Sequence, residues 1–399
     1  VKALLVEEAR ARMLAHATEL PHDIVSAGEC LGRVLAEPIT ASRDQPPFAA
    51  SAMDGYAVRS AATAVDARLK VVGESAAGGG YAEIVGPGEA VRIFTGAPVP
   101  AGADAVVIQE DTERDGQTVI LKVSPQPNAN IRPAGGDFRS GDALLAKGMR
   151  LDPWRLSLAA AAGRDELEVC HRPVVAILST GEEIVPAGDS PGPHQIFDSG
   201  SPALAALVRI WGGEPRRLSP AGDRIEAIEG ALRTFPCDLI VTIGGASVGD
   251  HDLVKPAMAR LGLELVVESI RMRPGKPTWF GVLADGRRVL GLPGNPASAL
   301  ACAELFLRPL LMAMQGVEPA SRVVSARVSR PLPANGPREH WMRARLRNDA
   351  GMLIAEPMAD QDSSLVSVFA QADALLKRPI DAPAAPAGEV VEVLPLERL

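Results

Sequence analysis

Aromatic residues make up only 4% of this 399-residue chain, with 8 Phe, 4 Trp and 2 Tyr, so its cores must be built from Ala, Val, Leu and Ile. Cysteine is scarce as well. Cys30, Cys170, Cys237 and Cys302 stand far apart with no CxxC pair, which excludes a dense disulfide framework. They read as buried thiols of a reducing compartment, with a disulfide or a zinc site as the alternative, and the six histidines show no HxxxH-type zinc spacing. No apolar run approaching ~18–20 residues is apparent, so no membrane-spanning helix is expected. The start, Val1-Lys2-Ala3-Leu4, resembles neither a signal nor a transit peptide, and the expected location is the cytoplasm. A net charge of −8 and a pI near 5.4 disfavour a general nucleic-acid binder.

What the chain has in quantity is turn formers, 38 Gly and 34 Pro, beside an apolar fraction of 47%. At roughly 100–200 residues per domain its length predicts two to four domains. From Leu4 to about Leu20, Leu5, Ala9, Met13 and His16 or Ala17 recur at helical spacing, and Pro21 is the expected stop. Short β-rich runs fill about Ile39 to Ala146, among them 90–94 and 105–108. Asp115-Gly116 is placed as a hairpin turn between 110–112 and 118–121. Residues 171–316 differ in texture. Val174-Val175-Ala176-Ile177-Leu178 and Leu239-Ile240-Val241-Thr242-Ile243 are continuous apolar runs, as in strands buried on both faces. Between them a helix is expected with Ser201 as N-cap, Pro202 at its first position and Gly212-Gly213 beyond its end. Further helices follow Asp223, Asp252 and Pro296. The alternation predicts a doubly wound α/β domain, and from about Ser321 an all-β tail.

In such a sheet ligands bind beyond the carboxyl ends of the strands. Three loops occupy that place: Ser179-Thr180-Gly181-Glu182-Glu183, Gly244 to Asp252, and Leu292-Pro293-Gly294-Asn295-Pro296. Glycines let backbone approach an anion, and N–H groups at a helix start hold phosphate, so together the loops point to a phosphorylated ligand. No Walker or G-x-G-x-x-G fingerprint fits. Gly245-Ala246-Ser247-Val248-Gly249 satisfies the hydrolase pattern G-x-S-x-G, but downstream only His251 and His340 could complete a triad. The carboxylates Glu182, Glu183, Asp250 and Asp252 at a phosphate-binding edge suit Mg²⁺. Capping and a solvated loop are their plainer roles. Arg271, Arg273 and Lys276, stiffened by Pro274 and Pro277, form either an exposed basic turn or a clamp for a small oxyanion.

These segments resemble the molybdopterin molybdenumtransferase (MoeA-type) family over nearly the whole chain. The matching motifs are Pro46-Pro47-Phe48 with Ser51-Ala52-Met53-Asp54-Gly55-Tyr56-Ala57-Val58, Phe94-Thr95-Gly96-Ala97-Pro98, Ile131-Arg132-Pro133 leading to Asp137, the three loops, and Pro274-Gly275-Lys276-Pro277. The resemblance implies an elongated N-terminal domain (1–40 with 141–170) and an inserted β domain (41–140). It further implies an α/β molybdopterin-binding domain (171–318) and a C-terminal β barrel (319–399). It implies insertion of molybdenum from molybdate into adenylylated molybdopterin with Mg²⁺ and release of AMP, by a homodimer whose sites combine segments of two subunits. Molybdopterin adenylyltransferase and molybdoenzyme chaperones are the further partners implied, with neither nucleic acid nor membrane.

Carried over residue by residue, Asp54, Thr95, Asp137, Glu183 and Asp252 would be catalytic, with Asp252, Asp250 and Glu183 as metal ligands. Arg132, Thr180, Gly181, Asp223, Gly244, Gly245, Ser247, Gly249, Arg273, Lys276, Pro277, Pro293, Gly294, Asn295, Arg343 and Ser364 would bind the pterin and molybdate. The chain departs from the pattern at Ala49-Ala50 (commonly Asp-Asn), Gly136 (Glu), Gly200 (Asn) and Arg273 (Lys). The competing reading is a binding or scaffold protein on the same architecture, against which the retained acids argue.

Overall fold

The computed structural model describes residues 3–222, 224–245 and 253–397. They divide into two compact units, one of Ile24–Leu31 with Glu37–Leu167, the other of Val1–Asp23, Gly32–Ala36 and Glu168–Leu399.

The smaller unit carries a six-stranded sheet in the order Ala105–Ile108, Gly55–Val58, Glu89–Ile93, Arg68–Ser75, Thr118–Leu121, Thr112–Asp115. Alternation puts Tyr56, Val58 and Val107 into one core and Ala57, Val106 and Val91 into another. Gly55 is required by the close approach of its neighbour strand: a Cβ there would lie 2.0 Å from the Val107 carbonyl oxygen. The expected hairpin forms, but its first strand is Thr112–Asp115, because 109–111 make a 3₁₀ turn; Gly116 takes the positive φ of +60°.

In the larger unit a six-stranded sheet runs Glu214–Arg217, Val174–Ser179, Leu239–Ile243, Arg288–Leu292, Trp279–Val282, Glu264–Val267. Its first four strands are parallel and its last two join antiparallel, so the doubly wound sheet is mixed. Val175, Ile177, Val241 and Leu290 face a core shared with Val6, Leu204 and Leu311, while Ala176, Leu178, Ile240 and Val289 face Ile228, Leu232 and Met258. Both faces are thus covered, as the unbroken apolar runs require.

Several expectations are corrected here. The first helix is Val6–Leu14, ending well before Pro21, and its inward stripe is Val6, Ala9 and Met13, with Leu5 outside it. The helix Gly200–Ile210 is not capped by Ser201. Asp198 accepts from the Ser201 N–H at 2.9 Å, and Ser201 sits inside the first turn. A helical run, Pro296–Met314, does have the length and apolar composition to cross a membrane, with mean hydropathy 1.5; 78% of it is buried inside the fold, where it serves as a core helix. The tail is not purely β, since Val366–Gln371 is a short helix. The strands Glu339–Asp349, Met352–Pro357, Val324–Val328, Val390–Pro395 and Ala374–Arg378 pair in a closed ring, because the first also pairs with the last. Closure leaves this barrel without a free edge.

Candidate functional site

The parallel register brings the ends of Val174–Ser179, Leu239–Ile243 and Arg288–Leu292 side by side, and the described residues that follow them, among them Thr180 and Gly181, Gly244 and Gly245, and Pro293 to Asn295, wall one cavity of about 1350 Å³. They are locked to one another. The Thr180 N–H donates to the Ile243 carbonyl at 3.0 Å, and the Gly244 N–H donates to that of Leu292 at 3.2 Å. Gly244 and Gly245 take φ of +94° and +59°. A Cβ on Gly245 would meet Val254 at 2.1 Å, and one on Gly244 would meet the Thr180 carbonyl oxygen at 2.8 Å. Glycine is therefore needed twice, for conformation and for space.

Of the residues selected from sequence, Thr180, Gly181, Glu183, Gly244, Gly245, Lys276, Pro277, Pro293, Gly294, Asn295 and Ser364 lie on this wall. Asn295 also donates to the Ser363 hydroxyl at 2.9 Å, linking the third loop to the barrel. Ser364 donates from its hydroxyl, at 2.6 Å, and from its N–H, at 2.8 Å, to Asp362, holding that carboxyl below its ordinary pKa. Asp223, Ser247, Gly249, Asp250 and Asp252 lie outside the described residues.

Arg273 and Arg343 do not line the cavity and lie together near His340. Arg273 pairs in register with His340 of the barrel, and Arg343 follows on the same barrel strand. Arg343 is 1% exposed. One of its terminal nitrogens donates to the Asp362 carbonyl at 2.9 Å, while Nε and Nη1 are buried with no partner among the described residues. Burial pushes its pKa down. Burial first, then Arg273 and Arg343, push His340 down to about 4.

The unfolded imidazole, at its ordinary 6.5, then binds a proton that the folded one refuses, so stability rises with pH between about 4 and 6.5 and the deficit is complete below about 4. His340→Gln should flatten the dependence of the unfolding free energy on pH across that window, removing a slope of at most about 1.4 kcal/mol per pH unit. An unchanged slope would mean that His340 titrates normally.

The remaining four candidates belong to the smaller unit. Asp54 accepts from both the N–H and the hydroxyl of Thr95, each at 2.8 Å, and these bonds hold its pKa below the ordinary carboxylate value. Ile131–Arg132 pairs with Ala50–Ser51, just before Asp54, and Asp137 is tied through its N–H to the Gln45 carbonyl at 2.9 Å. Arg132 and Asp137 are exposed.

Sequence reasoning missed Asp198, a buried acid on the cavity wall. It accepts from the Ser179 hydroxyl at 3.1 Å and from both groups of Ser201, whose hydroxyl takes a 3.1 Å bond from Arg217. The Asp-Ser preceding a helix was the available signal. It also missed Phe197, 49% exposed on the same wall, and Lys255. Among the described residues no three His, Cys, Asp or Glu side chains converge in this cavity. Glu183, Asp198 and Glu268 lie on its wall, and Mg²⁺ takes one or two carboxylates beside phosphate oxygens and water, so the donor set fits a hard cation.

A sheet with glycine loops at adjacent strand ends, joined to a closed barrel, defines an α/β ligand-binding protein that carries a β-barrel domain. Residues 4–163 match the MoeA N-terminal region (domain I and II), 176–313 the "Probable molybdopterin binding domain", and 325–396 the MoeA C-terminal region (domain IV). The chain is 34% identical to a molybdopterin molybdenumtransferase of Nostoc over 94% of its length and 88% of that protein. It is 32% identical to the one of Bacillus subtilis over 98% and 93%. A crystal structure titled as the molybdopterin biosynthesis moeA protein from Pyrococcus horikoshii superposes with a TM-score of 0.84 at 28% identity, covering 99% of this chain and 100% of that one. The chain belongs to the MoeA family, the molybdopterin molybdenumtransferases.

Proposed function

We propose that the chain takes adenylylated molybdopterin and molybdate, cleaves the pyrophosphate linkage, and releases AMP and molybdenum cofactor. The observation that carries this reading is the convergence of Thr180 and Gly181, Gly244 and Gly245, Pro293 to Asn295, Lys276 and Ser364 on one cavity. The loop N–H groups and glycines receive the phosphates. Lys276 offers a point charge to molybdate, and by family resemblance Arg343, whose Nε and Nη1 have no partner among the described residues, adds donors on that side. Glu183 would hold Mg²⁺, with Asp250 and Asp252 as further ligands by family resemblance. When bound, the ion offsets charge developing on the pyrophosphate.

By the same resemblance the protein acts as a cytoplasmic homodimer in which Asp54, Thr95, Arg132 and Asp137 of one subunit serve the α/β cavity of another. Each patch then appears twice across a two-fold axis. Mixing Asp54→Ala chains with Glu183→Gln chains should restore activity through one intact site per heterodimer. Proven subunit exchange without recovery would place each site within one chain.

The deciding experiment is AMP release from adenylylated molybdopterin with and without molybdate, repeated with tungstate. Molybdate-dependent release is expected. Tight pterin binding with no release under either oxyanion would leave a binding or scaffold protein.

A further inference from the structure

Away from the cavity, within the larger unit, Glu19, His22, Glu168 and Cys170 meet where the segment after the first helix runs beside residues 168–171. The backbone is pinned there, with the Leu20 N–H donating to the Met314 carbonyl at 2.9 Å and the His171 N–H to that of Pro21 at 2.8 Å. His22 Nε2 lies 2.9 Å from Glu19 Oε1, and Cys170 Sγ lies 3.9 Å from that same oxygen. The three potential ligand atoms all fall within 4.8 Å of one another. None of these residues lines the cavity described above.

We infer that Glu19, His22 and Cys170 form a binding site for a borderline-soft divalent cation of the zinc class. The donor set of thiolate, imidazole and carboxylate selects such an ion over Mg²⁺ or Ca²⁺, which prefer oxygen alone. Zinc bonds of about 2.0–2.3 Å in a tetrahedron put ligand atoms roughly 3.5 Å apart. The present separations of 2.9 and 3.9 Å bracket that figure, so small side-chain rotations admit the ion.

The other ring nitrogen carries an independent argument. His22 Nδ1 lies 3.2 Å from Glu168 Oε1, the carboxylate–histidine arrangement that fixes the tautomer and turns Nε2 toward a metal. Cys170 is buried whereas Glu19 and His22 reach solvent, so an ion arriving from water meets the imidazole and carboxylate first and the thiol last. On binding, the thiol proton leaves to solvent and the sulfur pair enters the metal bond. Three protein ligands leave a fourth position for water.

Without a metal, the same geometry is a histidine held between two carboxylates. Cobalt(II) separates the two states, because only a bound thiolate gives it a charge-transfer band. Titrating chelator-treated full-length protein with Co²⁺ should show that band saturating at a single equivalent, with Zn²⁺ displacing it. Cys170→Ser should lose the band. His22→Gln, at an exposed position that tolerates the change, should weaken binding by at least ~10-fold. Glu168→Gln, acting through His22, should weaken it by ~10–100-fold while keeping the band. The inference is overturned if wild type shows no saturable band, or if the band survives unaltered in Cys170→Ser or His22→Gln. Survival in Cys170→Ser would assign the thiolate to Cys30, Cys237 or Cys302. Should Cys170→Ser fail to fold, His22→Gln decides.

Discussion

Lys276→Ala is expected to raise the half-saturating molybdate concentration by roughly 10- to 100-fold while pterin affinity weakens much less. A charge-assisted hydrogen bond contributes about 1.5–3 kcal/mol, and each ~1.4 kcal/mol is a factor of ten. The size of the effect depends on the lysine being held ready. Its carbonyl accepts from the Ile270 N–H at 3.0 Å, and Gly275, at φ +112°, sits where a Cβ would lie 2.4 Å from Cys302 Sγ. A turn fixed in this way loses little freedom when an anion arrives. Two titrations on one variant, molybdate dependence and pterin binding, decide the matter. A collapse of pterin affinity with unchanged molybdate dependence would assign Lys276 to the phosphate side.

Glu183→Gln should lower turnover by at least ~10²-fold, the loss typical of removing a preorganised group that stabilises transition-state charge. Glutamine keeps the shape and removes the charge, so affinity for the pterin should change little. Raised Mg²⁺ should recover part of the rate, because weaker metal binding is offset by mass action. Turnover equal to wild type at low Mg²⁺ would remove Glu183 from the metal site.

The sheet could be read from sequence because its strands are buried on both faces, which writes them as unbroken apolar runs, and because glycine marks each loop that must pass close to its neighbour. Asp54 and Thr95 could be paired only through family motifs, since 41 residues separate them and neither carries a local signal for the other. Asp198 was hidden by a plausible local alternative: Ser201 followed by Pro202 imitates a helix cap, whereas the acid three residues earlier does the capping. The end of the first helix was missed because Pro21 is a conspicuous stop, but the chain leaves the helix at Leu14 to run beside 168–171. The cluster around His22 joins residues 151 apart, from Glu19 to Cys170, and no periodicity reports such a meeting.

The short strand Met272–Arg273 is hydrogen-bonded in parallel to Glu339 and His340 of the closed barrel, immediately before the turn that presents Lys276. The cationic turn is thus spliced into the ladder of a neighbouring fold, with the sheet supplying the cavity and the barrel supplying the rail on which Arg273 is registered. Modularity fails at this point. An α/β piece expressed without its last seventy-odd residues would keep a cradle for phosphate, but its basic turn would lose the ladder that registers Arg273. Nucleotide-like ligands and small oxyanions would then part company as substrates for the same truncated protein.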